Sequence, residues 1–284
     1  MKASGPVRAQ AQGASVGLRA RGEARAVFAR VGSRTAPARA FETGGLRLRF
    51  PKASAGCEAV LINTGGGMAG GDHAKIEIAL EPGAEALFTT QSAEKIYRSD
   101  GATSKVEAWA TLGAGARLEW LPQETILFQG ARFARRLEVE LAPDSSLLLV
   151  EAITFGRIAM GERDIDASLH DSWRIRRAGR LVFAEEVRLD HAAATLDRLA
   201  VGRGARAIAS ILIAAPDSQT QLDKIRAALD GACDAGEEPL EAGATTFDGL
   251  VLARLAAPSP LRLRAAIAAV RMALRGRAAP RVWQ

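Results

Sequence analysis

Residues 61–72 read LINTGGGMAGGD, five glycines in twelve residues, closed by an acid. A glycine-rich loop cradles phosphate when a Lys follows it. Gly66 and Gly71 have the glycine spacing of GxxxxGK[ST], but Asp72 stands where the Lys belongs, and a carboxylate there repels phosphate. A dinucleotide loop needs a helix after its glycines to offer backbone N–H groups. The next residues, HAKIEIAL at 73–80, alternate like a strand instead. Gly65, Gly66, Gly67, Gly70 and Gly71 are therefore read as a wide structural turn between strands, with Asp72 anchoring it through backbone N–H groups.

The acids Asp72, Glu94, Glu124, Glu151, Glu185 and Glu186 are the next candidates, for acid–base work or for holding a hard or borderline metal. No HxH or HExxH spacing accompanies them, and His73, His170 and His191 each stand alone in the sequence. Ser92, Cys57 and Cys233 lack a recognisable nucleophile setting, and the two Cys form no CxxC pair. That argues against a disulfide framework or structural zinc site and fits a reducing cytoplasm. The residues alone specify no enzyme. Two polar segments interrupt the strand rhythm: TTQSAEKIYRS (89–99), which holds the single Tyr, and LPQETILFQG (121–130). Each reads equally as an ordinary surface loop or as a binding loop.

These residues must be positioned by a β-rich body. Short, partly alternating segments begin near residue 24, and KIEIAL and LEVEL alternate apolar with polar residues, so one face is buried. A loose repeat starts at Leu80, Leu112 and Leu141, spaced by 32 and 29 residues, with a weaker copy at Arg177–Glu185. Each unit is a strand end, a Pro/Gly/Asp turn and a new strand. The expected fold is mainly β: stacked antiparallel strand pairs forming a solenoid- or sandwich-like body over 23–200, followed by an α+β part over 201–284 with about two helices. Asp217 is expected to cap the first helix and Gly231 to stop it. Ser259-Pro260 is expected to open the second, which ends before Gly276. Trp283, in the tail RAAPRVWQ, reads as exposed.

The chain of 284 residues carries a net +6, unevenly: residues 1–49 carry +8, residues 249–284 carry +7, and the rest of the chain carries −9. Residues 1–22 read as a disordered basic arm ahead of a single domain, 23–284. Aromatics are only 5% of the chain. The basic ends are therefore read as solvated or partner-facing, with a nucleic-acid or small-ligand binding protein as the alternative. No run of 18 apolar residues suggests a membrane helix, and the first residues lack the apolar core of a signal peptide.

Three long segments, NTGGGMAGGD (63–72), TTQSAEKIYRS (89–99) and LEWLPQETILFQGAR (118–132), occur in order and are supported by FGRIAMGE (155–162). Together they resemble the urease accessory protein family UreD, also called UreH. The resemblance covers most of 24–200 and continues more weakly to PRVW at 280–283. Gly65 departs from it, the family more often having Ala there. The resemblance implies a non-enzymatic chaperone that binds urease apoprotein and the partners UreF and UreG, with GTP hydrolysed by UreG. It implies nickel insertion into urease, by way of a water-filled passage. On that basis Asp72, Thr89, Thr90, Glu124 and Glu151 are expected to line a polar nickel route, and Lys95, Tyr97 and Arg98 to meet partners. No tightly bound cofactor is expected, only nickel in transit through weak oxygen ligands, since thiolate or imidazole clusters would retain it. Neither nucleic acid nor membrane is expected as a partner.

Overall fold

The computed structural model describes residues 19–52, 56–162 and 164–283. Of the expected basic arm, residues 1–18 lie outside the described residues, and Arg21 and Gly22 already belong to the first strand.

The sequence repeat is a coil of chain that alternates between two sheets. β1 (Arg21–Val31), β2 (Arg34–Thr43), β3 (Leu46–Arg49) and β4 (Cys57–Asn63) open the molecule. The first full unit is β5 (His73–Leu80), a turn at 81–84 and β6 (Glu85–Thr90). After short β7 (Glu94–Ile96) come β8 (Ser104–Leu112), a turn at 113–116 and β9 (Arg117–Leu121). After short β10 (Thr125–Leu127) come β11 (Arg132–Leu141), a turn at 142–145 and β12 (Ser146–Phe155). The turns stack: Gly83 N donates to Ala114 O at 2.8 Å, and Gly115 N to Asp144 Oδ1 at 2.9 Å. Each turn ends on a small, fully covered residue, Ala84, Ala116 or Ser145, where the chain crosses between layers and a larger side chain has no room.

Strands β5, β8 and β11 thus lie side by side in one sheet, and β6, β9 and β12 in the other, all parallel to their neighbours. The expected strand stack is present, but its sense is mixed. It is parallel through the middle, and antiparallel where β1 meets β2, where β3 meets β4, and beyond β12. The weaker fourth copy departs from the pattern. At Arg177–Arg180 the chain folds straight back from β13 (Ser168–Arg177) into β14 (Arg180–Leu189) within one sheet, which ends the coil.

The first sheet runs β14-β13-β11-β8-β5-β1-β2. The second is extended by β15 (Ala207–Ala214), β17 (Leu250–Ala257) and β16 (Glu241–Phe247), and runs β16-β17-β15-β12-β9-β6-β4-β3. Its outer face is covered by α2 (Leu222–Asp234) and α3 (Pro260–Arg275), while a five-residue α1 (Ala192–Leu196) follows β14. Apolar side chains fill both gaps. Phe28, Ile78, Leu118, Trp120, Leu137 and Leu149 lie between the sheets, and Leu148, Val150, Ile211, Leu229, Ile267 and Val270 between sheet and helices. β12 reads SLLLVEAITF because it is covered on both faces.

Helix α3 begins with Pro at its first position and closes at Gly276 in the left-handed region, as expected. Helix α2 differs. Asp217 makes no side-chain cap, a 3-10 turn at 218–221 precedes the helix, and the helix passes through Gly231 to Asp234 because Ala232 packs beyond it. Trp283 is buried rather than exposed, at 7% relative exposure.

Candidate functional site

The coil has unequal ends. One carries the four-residue turns. The other carries the long connections 64–72, 91–103, 122–131 and 156–167, and with them most of the four motif segments. There the glycine stretch makes its turn from β4 to β5. Asp72 Oδ1 accepts from Ala20 N and its Oδ2 from Ala69 N, both at 2.8 Å. The anchoring role expected of Asp72 is what the structure has. The missing side chains admit a segment of the same chain. A Cβ on Gly67 would lie 2.5 Å from Tyr97 Cε2 and 2.7 Å from Lys95 O, and one on Gly70 would lie 2.9 Å from Ala102 O. Met68 N donates to Lys95 O at 2.7 Å, and Tyr97 N to Met68 O at 2.9 Å. Gly65 N donates to Asn63 Oδ1, while Gly66 and Gly71 take positive φ in the same turn.

Glu94 lies beneath that turn. Asn63 Nδ2 donates to its two oxygens at 3.0 and 3.2 Å. Burial pushes the Glu94 carboxyl up to about 7 against the pull of that bond. Lys95, Tyr97 and Arg98 are exposed beside it. The Tyr97 hydroxyl donates to Gly66 O at 2.8 Å, and the Tyr97 ring meets Phe128 edge to face at 5.2 Å. The structure therefore brings the expected partner-facing residues together with the glycine turn.

It separates the residues expected along the nickel route. Thr89 is fully buried, and its Oγ1 accepts from Trp283 Nε1 at 3.0 Å. Thr90 Oγ1 accepts from Gln123 N at 2.9 Å, and Gln123 Nε2 reaches Val282 O at 3.0 Å. Glu124 pairs with Arg264 of α3 at 3.0 Å. Thr89, Thr90 and Glu124 thus fasten the C-terminal tail and helix, and Asp72 fastens the glycine turn.

Glu151 is elsewhere. It lines a cavity of about 490 Å³ between the sheets, where β13 and β14 face β15, β16 and β17. Its carboxylate accepts from Trp120 Nε1 at 2.8 Å and pairs with Arg135. Arg135 also grips Asp171 with two bonds, at 2.9 and 2.6 Å, and Trp173 Nε1 donates to Asp171 at 3.1 Å. Across the cavity Glu185 accepts two bonds from Arg254, both at 3.0 Å. Burial pushes Glu151 up to about 7, with Arg135 pulling it down and Asp171 pushing it further up. Burial also raises Glu185 against the pull of Arg254. Burial opposes charge on Arg135, but Asp171 and Glu151 outweigh it and hold the guanidinium protonated. The cavity wall is therefore ionic, and each of Glu151, Asp171 and Glu185 is tied to an arginine.

Sequence reading missed Arg135, Asp171 and Arg254. A signal for the first two exists. In RFARRLEVEL, Arg135 falls in phase with the buried Phe133 and Leu137, and in SLHDSWRIRR, Asp171 falls in phase with Leu169 and Trp173. A charge on the apolar phase of a strand needs a buried partner. Among the described residues, no group of three or more His, Cys, Asp or Glu is arranged to hold a metal ion, and no helix is long and apolar enough to cross a membrane.

Comparison with known proteins gives one consistent result. The family model described as "UreD urease accessory protein" matches residues 20–284. The chain is 48% identical over 245 residues to the "Urease accessory protein UreD" of Methylobacterium sp. (strain 4-46), covering 86% of each chain. It is 50% identical over 246 residues to "Urease accessory protein UreD 2" of Methylorubrum populi, covering 86% of this chain and 82% of that one. It is 46% identical over 253 residues to the "Urease accessory protein UreD" of Beijerinckia indica, covering 88% and 92%.

Proposed function

The chain belongs to the UreD family of urease accessory proteins, and from that premise we propose that it is a non-catalytic chaperone of urease maturation. On this reading it holds urease apoprotein together with UreF and UreG while nickel passes into the urease site. The observation that carries the nickel step is the ionic cavity around Glu151. A divalent cation in transit needs oxygen ligands that bind and release, not a closed set of thiolates or imidazoles. Glu151, Asp171 and Glu185 supply carboxylates whose present partners are arginines, so an entering cation exchanges with a guanidinium rather than stripping bare ligands. A Glu151 carboxyl near 7 makes that exchange proton-coupled, since the ligand must be deprotonated to bind.

The proposed route therefore runs through Glu151, while Asp72, Thr89, Thr90 and Glu124 shape the loop end and fasten the tail. Lys95, Tyr97 and Arg98 are proposed to meet a partner. The free thiols of Cys57 and Cys233 suit work in a reducing cytoplasm.

The test is co-expression with the urease subunits, UreF and UreG, followed by pull-down and nickel analysis of the urease. The variant Glu151→Gln, which leaves Asp171 paired with Arg135, should co-purify with its partners at the wild-type level yet lower urease nickel by several-fold. Wild-type nickel content in that variant would remove the route. Failure of the wild-type chain to capture any partner would remove the chaperone reading.

A further inference from the structure

The loop end carries an exposed face that the cavity does not use. β7, β10 and β12 lie side by side in register, and Lys95 and Tyr97 leave β7 on the solvent side. Tyr97 is braced by Phe128 and by its bond to Gly66 O, and the Arg157 guanidinium lies over the Phe128 ring at 4.8 Å. Glu162 accepts from Arg157 Nε and from Arg157 N, both at 3.0 Å. That clip holds a single 3-10 turn, 158–160, from which Met160 projects at 77% exposure. An exposed, unbranched thioether three residues from an arginine that lies over an aromatic ring suits a contact surface.

Charge decides what the surface fits. Glu162 balances Arg157, whereas Lys95 and Arg98 have no carboxylate in ion-pair range among the described residues. The face is net cationic around an apolar knob. Nucleic acid fits less well, because Phe128 is already covered by Tyr97 and Arg157 and offers no clean ring for a base, while Met160 projects an apolar end where phosphates would lie. We infer that Lys95, Tyr97, Arg98, Phe128, Arg157 and Met160 form a docking face for a protein partner whose own surface is acidic around an apolar pocket that receives Met160. The braces on Tyr97 and Arg157 hold the face in shape before binding, which lowers the ordering cost of association. The inference rests on the urease-maturation reading for the set of partners.

The experiment uses the full chain with the urease subunits and the other accessory proteins, measuring dissociation constants at low and moderate salt. Wild-type binding should weaken with salt. The reversal Lys95→Glu, Arg98→Glu should weaken it about 10-fold or more, beyond the effect of Lys95→Ala, Arg98→Ala, and Met160→Asp should weaken it comparably. All three variants should keep the wild-type melting temperature, since the altered side chains are exposed. Equal binding by wild type and variants, or salt-independent binding, overturns the inference while leaving the maturation reading intact. Variant-sensitive retention of a DNA duplex, with partner binding unchanged, assigns the face to nucleic acid instead. Capture of no partner by the wild type overturns the maturation reading and the inference with it.

Discussion

Glu94 is half-buried beneath the glycine turn with Asn63 as its side-chain hydrogen-bond donor, so ionising it costs more in the folded chain than in water. Its carboxyl is raised from 4.5 to about 7. A group raised in the folded state contributes stability that is complete below the unfolded value and is lost as pH climbs through the folded value. Stability should therefore decline between about pH 4.5 and pH 7. Glu94→Gln keeps an acceptor for Asn63 and removes the titration. Denaturant unfolding at pH 8 should find the variant more stable than wild type by on the order of 2 kcal/mol, with the difference vanishing near pH 4. A wild-type pH profile retained by the variant would place the titration elsewhere. The sequence marks Glu94 as a candidate acid but not its partial burial, because it lies in the polar segment 89–99, which reads as a loop until the glycine turn folds over it.

At the scale of elements, the C-terminal tail is the least legible piece. PRVW comes after a helix end and a run of Arg, and nothing local says what covers it. In the structure Trp283 Nε1 reaches Thr89, Arg264 lies 5.9 Å over the Trp283 ring and donates to Trp283 O, and Gln123 ties down Val282. A three-residue 3-10 turn, Arg281–Trp283, thus fastens α3 to β6 and to the segment that follows β9. Trp283→Ala should destabilise the protein by about 3 kcal/mol, read as a lower denaturant midpoint. A neutral result would mean that the tail is held by its backbone bonds alone. Helix α3 itself was legible, because Pro260 and Gly276 mark its ends through backbone geometry. The end of α2 was not, because Gly231 in a helix costs only about 1 kcal/mol, which the packing of Ile225, Leu229 and Ala232 against the sheet together offsets.

At the scale of the whole molecule, β12 is the strand on which the layers meet. It pairs with β9, β10 and β15, faces the first sheet with one side and the helices with the other, and places Glu151 in the cavity wall. Its amides should be among the last to exchange with solvent, while those of 156–162, at the edge of the loop end, should be among the first. Hydrogen exchange read by mass spectrometry checks this, and fast exchange in 147–153 would contradict the layered core. The cavity arises at the same scale. Beyond β12 the second sheet turns antiparallel while β14 closes the first, and the charged residues of both edges are left facing each other.

The sequence by itself determined most of the long strands, though not β2, β7, β10 or β16, together with the repeat that winds them, the turn anchored by Asp72, the ends of α3, and membership of the family. These are local matters: period-two burial, glycine and proline geometry, and ordered motifs. Only the tertiary structure decided that the central strands run parallel, that Glu151 meets Arg135 and Asp171, that Thr89 and Glu124 serve the tail, and that Tyr97 fills the space left by Gly67. Alternation states which side of a strand is buried, but not which strand lies beside it or which charge waits across the layer. Those partners stand 16 to 194 residues apart in the chain, and only packing brings them together.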